Sequence, residues 1–177
     1  MKPPPAPAAS LSLSLQVAAR RPWVPSAAAI RRWARAAHAD GLARLSVRAR
    51  RAFPDGRAGL CVRIVGLAES RRLDRDYRGK DKPTNVLSFP SSPEERAVDG
   101  ALGDLVICAP VVAAEARAQG KTVPAHFAHM VVHGTLHLLG YDHLQARQAH
   151  AMERLEARVL AGLGYPDPYR TQDGTHA

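Results

Sequence analysis

The chain has 177 residues, 46% of them hydrophobic and 5% aromatic. That length and composition suit one globular domain and exclude an intrinsically disordered chain. The formal net charge is +9, and residues 1–83 hold 18 of the 25 Lys and Arg side chains but only 6 of the 16 Asp and Glu. A basic half favours a polyanionic partner, with a solvated arginine-rich face as the competing interpretation. No segment approaches the roughly 20 apolar residues of a membrane span, so we predict no membrane partner.

The cysteines and the N-terminus indicate the compartment and the domain limits. Cys61 and Cys108 lie in apolar runs, which predicts two buried thiols in a reducing cytosol. Leu and Ser alternate over residues 11–15, unlike the continuous apolar run of a signal peptide. We therefore predict a cytoplasmic protein. It should have a flexible lead-in over residues 1–10, a single domain over 11–170 and a flexible tail over 171–177.

Hydrophobic spacing and turn residues predict the elements. Strands are predicted at residues 11–18, 43–49, 59–65, 86–89 and 102–108. Helices are predicted from 27 to about 40 with Ser26 as N-cap, over 67–77, from Pro110 to about 120, from about 124 to 139 and over about 144–162. Residues 78–85 and 91–100 are predicted loops. This order indicates an α+β domain with a small mixed sheet of about four strands covered by helices. Trp33 shares the helical spacing of Ile30 and Ala37, which favours the core over base stacking.

Histidines cluster near one predicted helix end. They are His126, His129, His133, His137 and His143, five of the eight in the chain. His133 and His137 are four residues apart, so their imidazoles lie on one helix face and can reach a common ion. Gly140 can end the helix and let His143 turn back toward that ion. His126 lies about 10 Å from His133 along the axis, too far to share the ion. We predict one Zn²⁺ per chain, held by His133, His137 and His143, with a position open for water.

The spacing H-x-x-x-H-x-x-G-x-x-H matches the metzincin metalloprotease motif with one departure. Metzincins place a Glu after the first His as general base, whereas this chain has Gly134. The spacing therefore predicts a metzincin-like zinc site, while Gly134 argues against ordinary peptide hydrolysis. Asp142 is predicted to orient an imidazole rather than to bind the ion. Two alternatives remain open: histidines that merely share a partly exposed helix face, and a purely structural metal with four protein ligands.

Three segments resemble the YbeY family of bacterial endoribonucleases. They read HGTLHLLGYDH from His133 to His143, YRGKDKPTNVLSFP from Tyr77 to Pro90, and GDLVIC from Gly103 to Cys108. The similarity runs from about residue 60 to about 170. It implies a YbeY-like metal-dependent hydrolase domain with a long metal-binding helix, which cleaves single-stranded RNA. It also implies roles in 16S ribosomal RNA 3′-end maturation and in ribosome quality control, with ribosomal RNA and the small ribosomal subunit as partners. By motif position, the family's zinc ligands fall on His133, His137 and His143, and its functional arginine on Arg78.

Phosphodiester cleavage requires stabilisation of charge that grows on phosphorus. Arg78 offers a planar cation suited to phosphate, and Lys80 and Lys82 would add charge along the RNA backbone. Arg78 and His133 are the predicted catalytic residues. The proton acceptor stays open between zinc-bound hydroxide, which we favour, His129 and Asp104, and the RNA 2′-hydroxyl is a possible nucleophile. The competing functions are a non-catalytic ribosome assembly factor, which would use zinc for stability and its basic half for RNA binding, and a zinc peptidase. Protein partners on the ribosome are not readable from the sequence.

Overall fold

A computed structural model describes residues 10–19, 24–53 and 57–170. These residues form four strands, β1 (Ser10–Val17), β2 (Arg57–Val65), β3 (Val86–Pro90) and β4 (Ala101–Cys108). They also form seven helices, α1 (Ala27–Arg44), α2 (Val47–Arg50), α3 (Leu67–Arg78), α4 (Pro93–Asp99), α5 (Ala109–Ala118), α6 (Val123–Leu138) and α7 (Ala146–Gly162). None of the described helices is long and apolar enough to cross a membrane.

The four strands form one mixed sheet in the order β1-β2-β4-β3. β1 pairs with β2 and β2 pairs with β4 in parallel, whereas β3 runs antiparallel to β4 and forms an edge of the sheet. In β2, residues buried on one face alternate with more exposed ones, as the period of two in its sequence requires. The predicted α+β class with a small mixed sheet is confirmed.

Helix α6 lies at the centre of the packing. It contacts α1 and α7 on either side and rests on β3 and β4. Its buried side chains include Phe127, Val131 and Leu136, so this helix is apolar around most of its circumference. Trp33 of α1 is 1% exposed within the same core, which confirms its predicted place.

Gly41 marks the close approach of α1 to the end of α6. A Cβ atom at Gly41 would lie 2.6 Å from Leu139 Cδ1 and 2.8 Å from Leu136 Cδ2. Tyr141, just beyond α6, donates a hydrogen bond from its hydroxyl to the Gly41 carbonyl, 2.7 Å away. The C-terminal end of α1 is therefore fixed beside the segment that leads to His143.

Three predictions of local structure differ from the structure. The predicted strand at 43–49 is wrong: α1 continues to Arg44, and α2 follows with Ser46 as its N-cap. Helix α1 runs past residue 40 because Gly41 packs closely against the end of α6 and stays within the helix. The predicted loop at 91–100 contains α4, which a capping box between Ser92 and Glu95 starts. Cys61 is only partly buried, although Cys108 is buried as predicted.

The predicted flexible ends fall almost entirely outside the described residues. Residues 1–9 and 171–177 lie beyond them, and Ser10 already belongs to β1. The sheet therefore begins one residue before the predicted domain of residues 11–170, which stays a prediction.

Candidate metal centre

Three histidines converge where α6 ends. His133 and His137 occupy consecutive turns of α6, with ring centroids 4.6 Å apart. Gly140, at a φ of 98°, reverses the chain after the helix and returns His143 to within 3.1 Å of His137, measured from Nδ1 to Nε2. One ligand nitrogen from each of the three lies within 4.8 Å of the others. The structure thus brings all three predicted ligands together, and they can hold a metal ion.

The chemistry of the donors fits zinc. Three neutral imidazoles with an open side form a common catalytic zinc site. Burial lowers the pKa of His137, and the neighbouring His133 and His143 lower it further, so the neutral, ligand-competent imidazole prevails at neutral pH. A second group, His129, His133 and Glu156, also lies within ligand distance. Its atoms are buried and hydrogen-bonded to one another, whereas the first group faces an open cleft.

Glu156 of α7 fixes the orientation of His133. Its Oε1 lies 2.5 Å from His133 Nδ1, and its Oε2 lies 3.1 Å from His129 Nε2 and accepts a hydrogen bond from the Tyr169 hydroxyl. Glu156 is fully buried. Burial alone would raise its pKa, but the hydrogen bonds from His129, His133 and Tyr169 and the charge of His133 hold the pKa at about 2. Because a carboxylate only accepts, Nδ1 of His133 carries the proton and Nε2 is left for the metal.

Sequence reasoning missed Glu156 and Tyr169. A signal for Glu156 was nonetheless present. Met152, Leu155 and Val159 form the buried face of α7, and Glu156 sits among them at helical spacing. A carboxylate on the apolar face of a helix needs buried partners, and the sequence did not say which remote donors would supply them.

Gly134 is a packing residue. A Cβ atom there would lie 2.7 Å from Leu105 Cδ2 and 3.1 Å from Leu105 Cδ1. Leu105 of β4 is completely buried, so it has little room to move. The absence of a glutamate at this position therefore has a steric reason, since any side chain would push α6 away from the sheet.

Arg78 and β3 form the wall opposite the histidines. The cleft between them has a volume of about 540 Å³, and its lining comprises Tyr77, Arg78, residues 84–89, His133, His137 and His143. Arg78, at the end of α3, has a side chain 45% exposed and an Nη1 atom 3.5 Å from the buried carboxylate of Asp74. Asp74 has no other side-chain partner among the described residues, so Arg78 is its counter-ion.

The remaining predicted site residues lie outside the lining of this cleft. Lys80 and Lys82 are exposed on the loop after α3 and do not line it. The Asp142 carboxylate accepts the backbone N–H groups of His143 and Leu144 at 2.6 and 3.3 Å, so its contacts shape the loop rather than a ring. Asp104 is exposed beside a different depression, next to β1 and β2. His129 is buried against Glu156.

Comparison with known proteins agrees with this geometry. The family model described as endoribonuclease YbeY matches residues 29–164. The chain is 54% identical over 169 residues to the endoribonuclease YbeY of Alkalilimnicola ehrlichii, which covers 94% of this chain and 95% of that one. It is 53% identical over 145 residues to the Aromatoleum aromaticum enzyme of that name, over 82% of this chain and 81% of that one.

A solved structure shares the fold at lower similarity. The solution structure of TM1509 from Thermotoga maritima superposes with a TM-score of 0.53 at 20% identity, and the match covers 91% of this chain and 99% of that one. This likeness shows the fold alone. The family model spans most of the chain, and both curated relatives are more than half identical to it along nearly its whole length. The chain therefore belongs to the endoribonuclease YbeY family.

Proposed function

We propose that this protein is a zinc-dependent endoribonuclease selective for single strands. It would act in the cytoplasm in 16S ribosomal RNA 3′-end maturation and in ribosome quality control, with ribosomal RNA and the small ribosomal subunit as partners. One observation carries the proposal: three histidines converge on one side of a cleft that has an arginine on the other, in a chain of this family. The ribosomal role and the strand selectivity rest on the family resemblance.

His133, His137 and His143 would hold the zinc ion. When bound, zinc supplies Lewis acidity toward a phosphoryl oxygen and toward water. Glu156 keeps the Nε2 atom of His133 directed at the ion by holding Nδ1. The chain's own contribution to this side of the cleft is thus a rigid, pre-oriented set of nitrogens.

Arg78 would bind the scissile phosphate from the opposite wall. A guanidinium donates two parallel hydrogen bonds to a phosphate and remains charged at any physiological pH. The buried Asp74 carboxylate holds this side chain at the cleft, so the cation needs no large rearrangement to reach RNA. Lys80 and Lys82 would contact the RNA backbone further along, outside the cleft.

The residues around the cleft disfavour peptide hydrolysis. Along its wall, among the residues that the structure describes, no carboxylate is present to act as general base. The position where metzincins carry their glutamate is blocked by Leu105. A phosphodiester of RNA carries its own nucleophile, the 2′-hydroxyl beside the phosphate, so its cleavage would need a proton acceptor but no carboxylate placed to activate water.

The test measures zinc content and cleavage of a single-stranded RNA for the parent, His133→Ala and Arg78→Ala. We expect about one zinc per parent chain, loss of metal and cleavage in His133→Ala, and retained metal in Arg78→Ala. Cleavage by Arg78→Ala should fall roughly 100-fold or more, as when one donor to a developing oxyanion is removed. His150→Ala is the matched control, because the side chain of His150 is 81% exposed on α7, outside the cleft.

Three results would contradict the proposal. If both variants cut RNA as fast as the parent, the cleavage comes from a contaminant. If the zinc-loaded parent associates with ribosomes but cuts no RNA, the assembly-factor function replaces the enzyme. If it cuts peptides and the cleavage stops on chelation, the protein is a peptidase.

A further inference from the structure

An exposed cluster of arginines lies at the junction of α1 and α2. Its members are Arg44, Arg48, Arg50 and Arg51. The sequence has no acidic residue between Asp40 and Asp55 to offset them. Within the part of the chain that the structure describes, none of the four forms an ion pair with a carboxylate. The cluster therefore keeps its full positive charge.

Several other arginines of the basic half have a carboxylate partner. Arg63 pairs with Glu69 at 2.8 Å and Arg71 pairs with Asp81 at 2.7 Å. Arg78 has its counter-ion in Asp74. Burial and exposure do not distinguish the two groups, since Arg71 is also exposed. The difference is that α3 and the loop after it supply Glu69, Asp74 and Asp81, whereas residues 41–53 contain no acid, so the four arginines there add to one local positive potential.

This arginine cluster borders the loop that carries His143. Tyr141 is bonded to the Gly41 carbonyl at 2.7 Å, and Gly41 is within one helical turn of Arg44. Arg50 Nη2 donates to the Ala43 carbonyl at 2.7 Å, which ties α2 to the end of α1. Tyr141 and His143 are two residues apart, a span of roughly 7 Å at most. The cluster is therefore connected through Tyr141 to the loop that carries His143, and the charges of Arg44 and Arg50 act on the Tyr141 hydroxyl.

The cluster and Arg78 flank the metal centre. Helix α1 contacts α6 and β1, and β1 is the sheet edge opposite β3. Arg78 approaches the histidines from α3 and β3, beyond the other side of α6. A strand held at Arg78 and crossing the three histidines would next meet the α1–α2 junction.

We infer that the arginine cluster binds the phosphates of the RNA strand on the far side of the metal centre from Arg78. The inference rests on the proposed function and extends it: the substrate would be a strand long enough to span both cationic surfaces. Unpaired guanidinium groups bind phosphate without reading bases, so this contact would raise affinity and set the register of cleavage. An anionic membrane would also attract such a cluster. RNA is favoured because Tyr141 connects the cluster to the loop of His143, and because α2, at four residues, is too short for an amphipathic membrane helix.

The test uses the full-length, zinc-loaded chain and fluorescein-labelled 2′-O-methyl RNA, checked on a gel for integrity after each titration. Two lengths are compared, one that covers only the cleft and one several times longer. The test variant is Arg44→Gln/Arg48→Gln/Arg51→Gln, with Arg50 kept because it braces α2. The matched control is Arg32→Gln/Arg154→Gln/Arg158→Gln, which removes three exposed arginines from elsewhere on α1 and α7.

We expect the test variant to bind long RNA roughly tenfold more weakly than the control variant, with short RNA bound equally by both. The slope of log affinity against log salt for long RNA should become shallower by about 2, since each lost single-strand phosphate contact removes about 0.7. Replacing the same three arginines by lysine should restore most of the affinity, because the contact depends on charge. This rescue also excludes misfolding as the cause.

Several outcomes would overturn the inference. Equal affinities of the test and control variants for long RNA would do so, as would an equal loss for both RNA lengths. Loss of binding to anionic vesicles with RNA binding unchanged would assign the cluster to a membrane. If the test variant behaves like the control while the parent still cuts short RNA, this inference alone fails. If the parent neither binds nor cuts RNA, the proposed function fails with it.

Discussion

The two halves of α6 carry the same residue type and put it to opposite uses. In the first half, His126 and His129 are buried and each is paired with a carboxylate, Glu115 at 2.7 Å and Glu156 at 3.1 Å. In the second half, His137 has no carboxylate partner in the structure and instead meets His143. His133 joins the halves, with Nδ1 on Glu156 and the other ring edge toward the cleft.

The difference is made by the neighbouring helices and not by α6 itself. Helix α5 brings Glu115 to His126, and α7 brings Glu156 to His129 and His133. Among the described residues, no carboxylate pairs with the rings of His137 and His143, which line the cleft. A metal site on a histidine stripe is thus located by the absence of carboxylates as much as by the spacing of the imidazoles.

Removing the charge of Glu156, which pairs with both His129 and His133, should have the largest effect. Glu156→Gln keeps the shape of the side chain but loses the charge, and its amide cannot accept from His129, His133 and Tyr169 together. We expect zinc affinity, measured by competition with a chelator, to fall 10- to 100-fold. Tyr169→Phe removes one donor to the same carboxylate, and it should lower the zinc affinity less.

Glu153→Gln serves as the control for that change. Glu153 lies one turn earlier on α7 and is 3.8 Å from the exposed His150, so its loss should leave zinc affinity unchanged. Equal affinities of Glu156→Gln and the parent, with both folded by circular dichroism, would show that His133 keeps its orientation unaided.

The same comparison explains which residues of the site could be predicted from the sequence. His133, His137 and His143 are local, because one helical turn and one glycine bend bring them together. Glu156 is brought by a separate helix whose packing no spacing rule supplies. The same limit applies to the false strand at 43–49, where alternation over seven residues was outweighed by the packing of Gly41 against α6. The helix at Pro93–Asp99 was missed although its capping box was readable.

Gly134 sets the distance between the metal-binding half of α6 and the sheet. Gly134→Ala gains helix propensity of about 1 kcal/mol. However, the new Cβ would meet the fully buried Leu105, at a cost of roughly 1–3 kcal/mol for overpacking. We expect a net loss of about 1 kcal/mol in the free energy of unfolding, measured by urea denaturation.

The effect of Gly134→Ala on the free energy of unfolding should change sign when Leu105 is shortened. In a Leu105→Ala background the clash disappears, so Gly134→Ala should stabilise the protein by up to about 1 kcal/mol. If Gly134→Ala lowers the unfolding free energy equally in both backgrounds, Leu105 is not the reason for the glycine.

The smallest effect concerns His126 in the carboxylate-paired half. Burial lowers the pKa of His126 and outweighs the opposing influence of Glu115, so the folded state holds this ring neutral. A base whose folded pKa lies below its unfolded value of 6.5 binds its proton more readily in the unfolded chain. Its contribution to stability is therefore present above pH 6.5 and is lost as the pH falls below that value.

His126→Gln keeps a donor for Glu115 but cannot titrate. We expect it to cost about 1 kcal/mol at pH 7, and to lose less stability than the parent between pH 7 and pH 5. The measurement is urea unfolding of the metal-free protein across that range, with the exposed His150→Gln as control. The slope of the unfolding free energy against pH should become smaller without vanishing, because burial also lowers the pKa of His38 and His137. A parent-like slope in His126→Gln would mean that Glu115 stabilises the protonated ring enough to cancel the effect of its burial.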